Sequence, residues 1–172
     1  MPTNKRKIKS RTIRTSGLKL HPASTNDSNK ILKLLCPETC YYLDITPPET
    51  IEEVKTYLRC EQGQQWNRLA IHHPKHGLIG LIGYQIYNMG HRLIARLSYW
   101  IGQCWRGNGF AKQALNLLFN FLKNNNIYHY QALTFNNNKL SQKLLLSLKF
   151  HICKPAQSSD PESLITFERS DD

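Results

Sequence analysis

With 172 residues, 40% of them apolar and 10% aromatic, the chain suits one globular domain with a sizeable core. Twenty-three Lys/Arg against 12 Asp/Glu give a formal charge of +11, which favours anionic partners and disfavours polycations. The longest apolar run, Leu78–Gly83, is far too short to span a bilayer, and no apolar stretch follows the basic N-terminus, so a cytoplasmic protein is expected.

Residues 1–16, MPTNKRKIKSRTIRTS, lack apolar periodicity and read as a basic disordered arm ahead of a single domain over residues 17–172. The arm has the charge to touch RNA or a ribosome surface, although a solubilising tail or an organellar presequence fits the same composition. Leu18 to His21 alternates and reads as a first strand, stopped by Pro22. Asn26 or Asp27 then caps a short helix carrying Ile31, Leu32, Leu34 and Leu35, which Pro37 is expected to end. After a loop, Pro47-Pro48 opens a helix with the stripe Ile51, Val54 and Leu58, its acids early and Lys55 and Arg59 late, as the helix dipole prefers.

Leu69–His73, Leu78–Tyr87 and Arg92–Ile101 read as three antiparallel strands joined by turns at 74–77 and 88–91. His72, His73 and His76 straddle a strand end and a Pro/Gly turn with no acid or cysteine nearby, so they read as exposed turn histidines and no metal is expected. The five cysteines, Cys36, Cys40, Cys60, Cys104 and Cys153, are odd in number and irregularly spaced, which suits free thiols in a reducing compartment. A helix follows from Ala111 to Leu122, then a strand at Tyr128–Phe135, a helix from about Asn137 to Leu148, and a closing hairpin of His151–Lys154 with Ser163–Arg169.

The turn between the third of those strands and its helix, Arg106-Gly107-Asn108-Gly109-Phe110-Ala111, carries the chemistry. Strand, glycine turn and helix aim unpartnered first-turn amides at an anion, and glycine lets a phosphate approach the chain. The Walker pattern is absent, because Gly-Phe-Ala stands where Gly-Lys-Ser/Thr is needed, and the Rossmann pattern lacks its third glycine and its acid.

Arg106, Gly109 and Ala111 match, position for position, the Gln/Arg-x-x-Gly-x-Gly/Ala loop of the GNAT superfamily of N-acetyltransferases. Asn138-Lys139-Leu140-Ser141 resembles the Asn-x-x-Ser at that family's next helix start, and Phe150 the end of its Gly-Phe, with Lys149 in place of the glycine. Ser98-Tyr99-Trp100-Ile101 resembles the Gly-Tyr-Trp-Leu of the branch that acetylates ribosomal-protein N-termini. Over roughly residues 18–169 the resemblance implies an α+β fold: a mixed, mostly antiparallel twisted sheet of about seven strands with flanking helices.

It also implies acetyl-CoA as cosubstrate, with no metal. The amides of Arg106, Gly107, Asn108, Gly109, Phe110 and Ala111 would hold the pyrophosphate, and the edge of Trp100, Ile101 and Gly102 the pantetheine arm. Asn138 would contact pantetheine, with a plain helix cap as its alternative, and Ser141 would offer its hydroxyl to the departing thiolate. The general base is missing. Arg96 stands where relatives often place a glutamate, and no Asp or Glu occurs from residue 62 to 159 while eleven Lys/Arg do. By resemblance the base falls to Asp160 or Glu162, with His91, His151, Tyr128 or proton loss through water as alternatives. The resulting expectation is transfer to a protein or peptide N-terminal α-amine; a small-amine acetyltransferase and a CoA- or RNA-binding module without catalysis are the other readings.

Overall fold

Period-two alternation and turn chemistry give eight strands: β1 (Ile13–Arg14), β2 (Lys19–Pro22), β3 (Asn67–His73), β4 (Gly77–Met89), β5 (Arg92–Ile101), β6 (His129–Phe135), β7 (His151–Lys154) and β8 (Leu164–Ser170). In the computed structural model, which describes residues 12–14, 17–59 and 66–171, they form one sheet in the order β1-β2-β3-β4-β5-β6-β8-β7. Every pairing is antiparallel except that of β5 with β6. The helices are α1 (Ser28–Leu34), α2 (Pro37–Leu43), α3 (Ile51–Leu58), α4 (Phe110–Lys123) and α5 (Lys139–Ser147). The expected mixed, mostly antiparallel α+β architecture is thus what forms.

Two elements differ from expectation. Pro37 begins a helix instead of only ending one: Cys36 is the N-cap, the proline takes the first turn, and α2 follows where a loop was predicted. A proline costs nothing at N1, because its missing N–H has no helical partner there. Ile13–Arg14, assigned by sequence to the arm, pairs with Leu20 and Lys19 and raises the strand count from seven to eight. Ile13 packs against the main core, which is what draws this piece of the arm onto the sheet edge. The remainder of the arm lies outside the described residues.

Two cores cover the sheet. The larger takes the buried stripe of α4, with Ala114, Leu115, Leu118 and Leu122 fully buried, together with Leu145 of α5 and strand residues including Tyr84, Ala95 and Phe167. Each buried leucine contributes about 1.5–3 kcal/mol relative to exposure. The smaller core sets Ile31 of α1 and Val54 of α3 over Ala70, Leu78, Leu81 and Trp100. Trp100 therefore faces the α1–α3 layer from the last turn of β5 before the glycine loop.

The one parallel pair opens the sheet. β5 and β6 are in register only from Ile94↔His129 to Leu97↔Ala132. Beyond that point β5 continues against β4 as far as Ile101, while β6 continues against β8 as far as Phe135. A wedge is left between Ser98–Ile101 and Leu133–Phe135. Gly80 holds its β5 side in place: a Cβ there would sit 2.3 Å from the Trp100 carbonyl oxygen and 3.0 Å from the Ile101 Cα. Only a glycine lets β5 press this close to β4 as β6 departs. Gly80→Ala should therefore cost roughly 1–3 kcal/mol of stability through forced backbone shifts. Urea melts of the two proteins measure it, and an unchanged midpoint would show that the contact constrains nothing.

Candidate active site

Each wall of the wedge brings one kind of group. Along β5, Ser98, Tyr99, Trp100 and Ile101 line a cleft of about 680 Å³; Leu133 and Thr134 line it from β6, and Asn137 to Ser141 from the start of α5. The glycine loop closes one end through Arg106, Gly107, Gly109, Phe110, Ala111 and Lys112.

The loop is shaped for an anion. Gly107 and Gly109 hold φ of 78° and 75°, a conformation that strains any other residue, and nothing lies within 4 Å of where a Cβ would project from either. Gly109 is the N-cap of α4 and supplies no side-chain cap, so the first-turn amides are satisfied by no side chain from the cap position. Lys112 adds a cation in the same turn. Arg106, in contrast, commits its side chain to the scaffold. Its guanidinium donates to the Thr39 hydroxyl at 2.7 Å and to the Ile101 carbonyl at 3.2 Å, and pairs with Glu38. This ties the loop to α2, the helix that was not anticipated.

Asn108 turns inward on the loop, donating to the carbonyls of Trp105 and Arg106 at 3.2 and 3.1 Å, and is not among the cleft-lining residues. Gly102 also stands outside the lining, its N–H on the Ile79 carbonyl at 2.8 Å and its Cα face against Leu34. Asn138 does line the cleft, while its side-chain oxygen accepts from the Ser141 N–H at 3.2 Å and so caps α5. Of the residues expected at the site, Trp100, Ile101, Arg106, Gly107, Gly109, Phe110, Ala111, Asn138 and Ser141 come together around one cleft.

The Ser141 hydroxyl lies 2.9 Å from the hydroxyl of Tyr99 across the wedge. Burial pushes the Tyr99 phenol up to about 12, only partly offset by its bond to Ser141. Tyr99 is therefore protonated throughout the neutral range and stands ready as a donor, not as a base. Sequence reasoning used Tyr99 only as part of a strand pattern, and its pairing with a serine 42 positions later depends on the fold.

Asp160 is not brought to this cleft. It lies exposed in the turn between β7 and β8, where its Oδ1 accepts from the Glu162 N–H at 2.9 Å. Glu162, His91, His151 and Tyr128 are likewise absent from the lining. Among the described residues the only carboxylate there is Glu38, already paired with Arg106. Arg96 stands at the cleft at one end of a cross-strand row: its Nε donates to Gln131 at 3.3 Å, whose amide donates to Glu168 at 3.1 Å.

Three further polar atoms were not foreseen. Thr134 Oγ1, Asn137 Oδ1 and Trp100 Nε1 are buried, belong to lining residues, and have no hydrogen-bond partner among the described residues. Leaving such a group unsatisfied costs about 1–3 kcal/mol, so a donor and two oxygens waiting along one cleft fit an amide-bearing ligand. In sequence, Thr134 is one of several polar residues in β6, beside His129 and Gln131, a signal too common to single it out.

A second cavity, about 520 Å³, meets the first at Leu43, Trp66, Ser98 and Trp100. Arg59 and Arg68 line it, and no carboxylate does among the described residues. The Arg68 guanidinium sits 4.4 Å from the centre of the Tyr57 ring. The two cavities thus meet at one point of β5, Ser98 and Trp100.

The histidines separate into two groups. His73 and His76 stack on each other at 4.5 Å and on Phe110 and Trp105, at 5.2 and 4.3 Å, so they brace the glycine loop from the β3–β4 turn. His72 is a half-buried strand residue, not an exposed turn residue, and faces His21.

Residues 18–151 match the family model for the acetyltransferase (GNAT) domain. No curated protein matches the sequence. Solved structures share the fold across nearly the whole chain. An acetyl transferase from Salmonella typhimurium that modifies the N-terminal serine of 50S ribosomal subunit protein L7/L12 is 16% identical, with 94% of this chain and 100% of that one covered at a TM-score of 0.76. Spermidine N-acetyltransferase from Vibrio cholerae, in complex with CoA and spermine, is 18% identical over 91% and 96% of the two chains, with a TM-score of 0.75. The microcin C7 self-immunity acetyltransferase MccE, in complex with acetyl-CoA and AMP, is 16% identical over 91% and 93%, with a TM-score of 0.72.

Proposed function

The chain belongs to the GNAT acetyltransferases and is an acetyl-CoA-dependent N-acetyltransferase; we propose that its acceptor is the α-amine of a protein or peptide N-terminus, as on a ribosomal protein, and that it prefers acidic or neutral termini. The residues present suit the donor. Gly107 and Gly109 leave open space where side chains would block a pyrophosphate, and the unpartnered Thr134, Asn137 and Trp100 atoms suit the amides of a pantetheine arm. Acetyl-CoA supplies the activated acetyl thioester, and the chain's own groups do the rest. The α4 amides with Lys112 hold the phosphates, the wedge orients the arm, and the paired Ser141 and Tyr99 hydroxyls provide the proton for the thiolate that leaves.

The charge of the second cavity supports the acceptor assignment. Arg59 lines it, Arg96 stands on the neighbouring wall, and among the described residues the only carboxylate lining either cavity is Glu38, which is paired with Arg106. A lysine side chain with a reference pKa near 10.4 is neutral in roughly one molecule in 2,500 at pH 7, whereas an α-amine near 7.7–8 is about one-tenth neutral. Acetylating lysine thus needs about 3–4 kcal/mol more help from a base, and among the described residues the cleft's one carboxylate, Glu38, is paired with Arg106. Positive surroundings also lower the pKa of a bound α-amine while repelling substrates that keep further positive charge. The same positive surroundings would repel a polyamine, although the spermidine enzyme shares the fold.

The test is a competition between a peptide with a free acidic N-terminus and its N-blocked, lysine-containing twin, with spermidine as a third arm. The free terminus should react fastest, and its rate should rise between about pH 6.5 and 8.5 as the substrate amine loses its proton. Faster acetylation of the blocked peptide or of spermidine would sink the assignment.

A further inference from the structure

Outside both cavities, β2, β3 and the 3-10 turn between β2 and α1 bring together three side chains that no part of acetyl transfer uses. His21 and His72 are diagonal neighbours on one face of the antiparallel β2–β3 pair, two residues off direct register, with ring centroids 4.3 Å apart. Asp27 reaches them from the turn at Thr25–Asp27, with Oδ1 4.0 Å from His72 Nε2. One ligand atom from each of the three lies within 4.8 Å of the others. None of the three lines either cavity.

We propose that His21, Asp27 and His72 form a binding site for a divalent transition-metal ion such as zinc, structural in role and separate from the acetyl-transfer cleft.

Each ligand is already oriented by a neighbour. His21 Nδ1 lies 3.0 Å from the Pro22 carbonyl oxygen, which can only accept, so Nδ1 carries the proton and Nε2 the lone pair. Asp27 Oδ2 accepts from the Ser24 N–H at 2.8 Å and from its hydroxyl at 3.1 Å, which fixes the carboxylate and leaves Oδ1 toward the imidazoles. His72 Nε2 is buried and has no hydrogen-bond partner among the described residues. Carbonyl-to-imidazole and hydroxyl-to-carboxylate contacts of this kind are the outer support that metal ligands ordinarily have.

Two imidazoles and a carboxylate form a borderline donor set that suits zinc, with water left to complete a tetrahedral shell. The side chains of His72 and Asp27 are 31% and 14% exposed, so the open position faces solvent. Zinc bonds of roughly 2.0–2.2 Å place donors about 3.3 Å apart, so the three atoms close in by about 1 Å on binding, within reach of side-chain rotation. The ion would clip the β2–β3 edge to the turn that launches α1.

The test uses the full chain, stripped with a chelator and titrated with zinc or cobalt. One equivalent should bind and raise the melting temperature. The cobalt complex should show visible d–d bands without a thiolate charge-transfer band, which separates this site from the free cysteines Cys36, Cys40, Cys104 and Cys153. Asp27→Asn and His72→Ala should each weaken zinc at least tenfold and abolish the thermal gain, while His91→Ala, at an exposed turn outside both cavities, should retain both. Coenzyme A affinity, read by calorimetry on every variant, reports that the fold is intact. A thiolate band, zinc affinity unchanged in folded Asp27→Asn and His72→Ala, or no zinc uptake by the unaltered chain would each overturn the site.

Discussion

Glutamate at position 109 should abolish coenzyme A binding and still give a folded protein. Gly109 sits at φ 75° with nothing within 4 Å of its missing Cβ, so the free protein has room for the new side chain. What it lacks is tolerance of the conformation: a non-glycine residue in the left-handed region costs about 1–2 kcal/mol. That cost can be measured separately. Gly90 in the β4–β5 turn has φ 65° and equally open surroundings, and it is not a cleft residue. Gly90→Glu and Gly109→Glu should therefore lower the melting temperature by similar amounts. Only the second places a carboxylate where the α4 amides and Lys112 converge, replacing attraction for a pyrophosphate with repulsion at contact distance. Calorimetry should detect no coenzyme A binding to Gly109→Glu and normal binding to Gly90→Glu. Unchanged affinity in folded Gly109→Glu would mean that the phosphates are held elsewhere.

That loop was legible because its chemistry is local. A glycine turn between an apolar strand and an amphipathic helix is written in consecutive residues, and so were β3, β4, β5 and α4. The register at which β5 and β6 part was not, since it depends on a pairing across 35 residues, Arg96 with Gln131, and on Gly80 two strands from the opening. The same distance in sequence hid the side-chain role of Arg106. Its match to a loop pattern pointed to its backbone amide, and the fold adds a side chain anchored on Glu38 and Thr39 some 67 positions earlier. Asp160 lies away from the cleft for the converse reason. Its place after the final strand-leading Phe suggested a base, but the residues between Lys154 and Leu164 form a turn that satisfies Asp160 locally and leaves it exposed. His72 shows how one residue of phase matters: as a strand residue it shares a face with His21, whereas His73, its neighbour, braces the glycine loop on Phe110.

Ser141→Ala should lower kcat by roughly 10²-fold with little change in KM, the low end for lost acid catalysis. The serine is positioned by its own backbone, whose N–H bonds to Asn138, and its hydroxyl faces Tyr99 at 2.9 Å. Tyr99, pushed up to about 12 by burial, keeps its proton at every pH at which the enzyme works. The pair can therefore pass a proton in one direction, from the phenol through the serine hydroxyl to the departing thiolate, and reload from the acceptor's released proton through solvent. Tyr99→Phe should then reduce kcat in the same way as Ser141→Ala, and the double variant should lose little beyond either single one, because both remove one relay. A purely structural Tyr99 gives a different pattern: a lower melting temperature from the unsatisfied Ser141 hydroxyl, about 1–3 kcal/mol, with kcat intact. The rise of rate with pH should persist in both variants, since it belongs to the substrate amine and not to the pair. Single-turnover rates make chemistry the step observed, and an unaltered rate for Ser141→Ala under those conditions would remove the hydroxyl from the mechanism and leave Asn138–Ser141 as a helix cap alone.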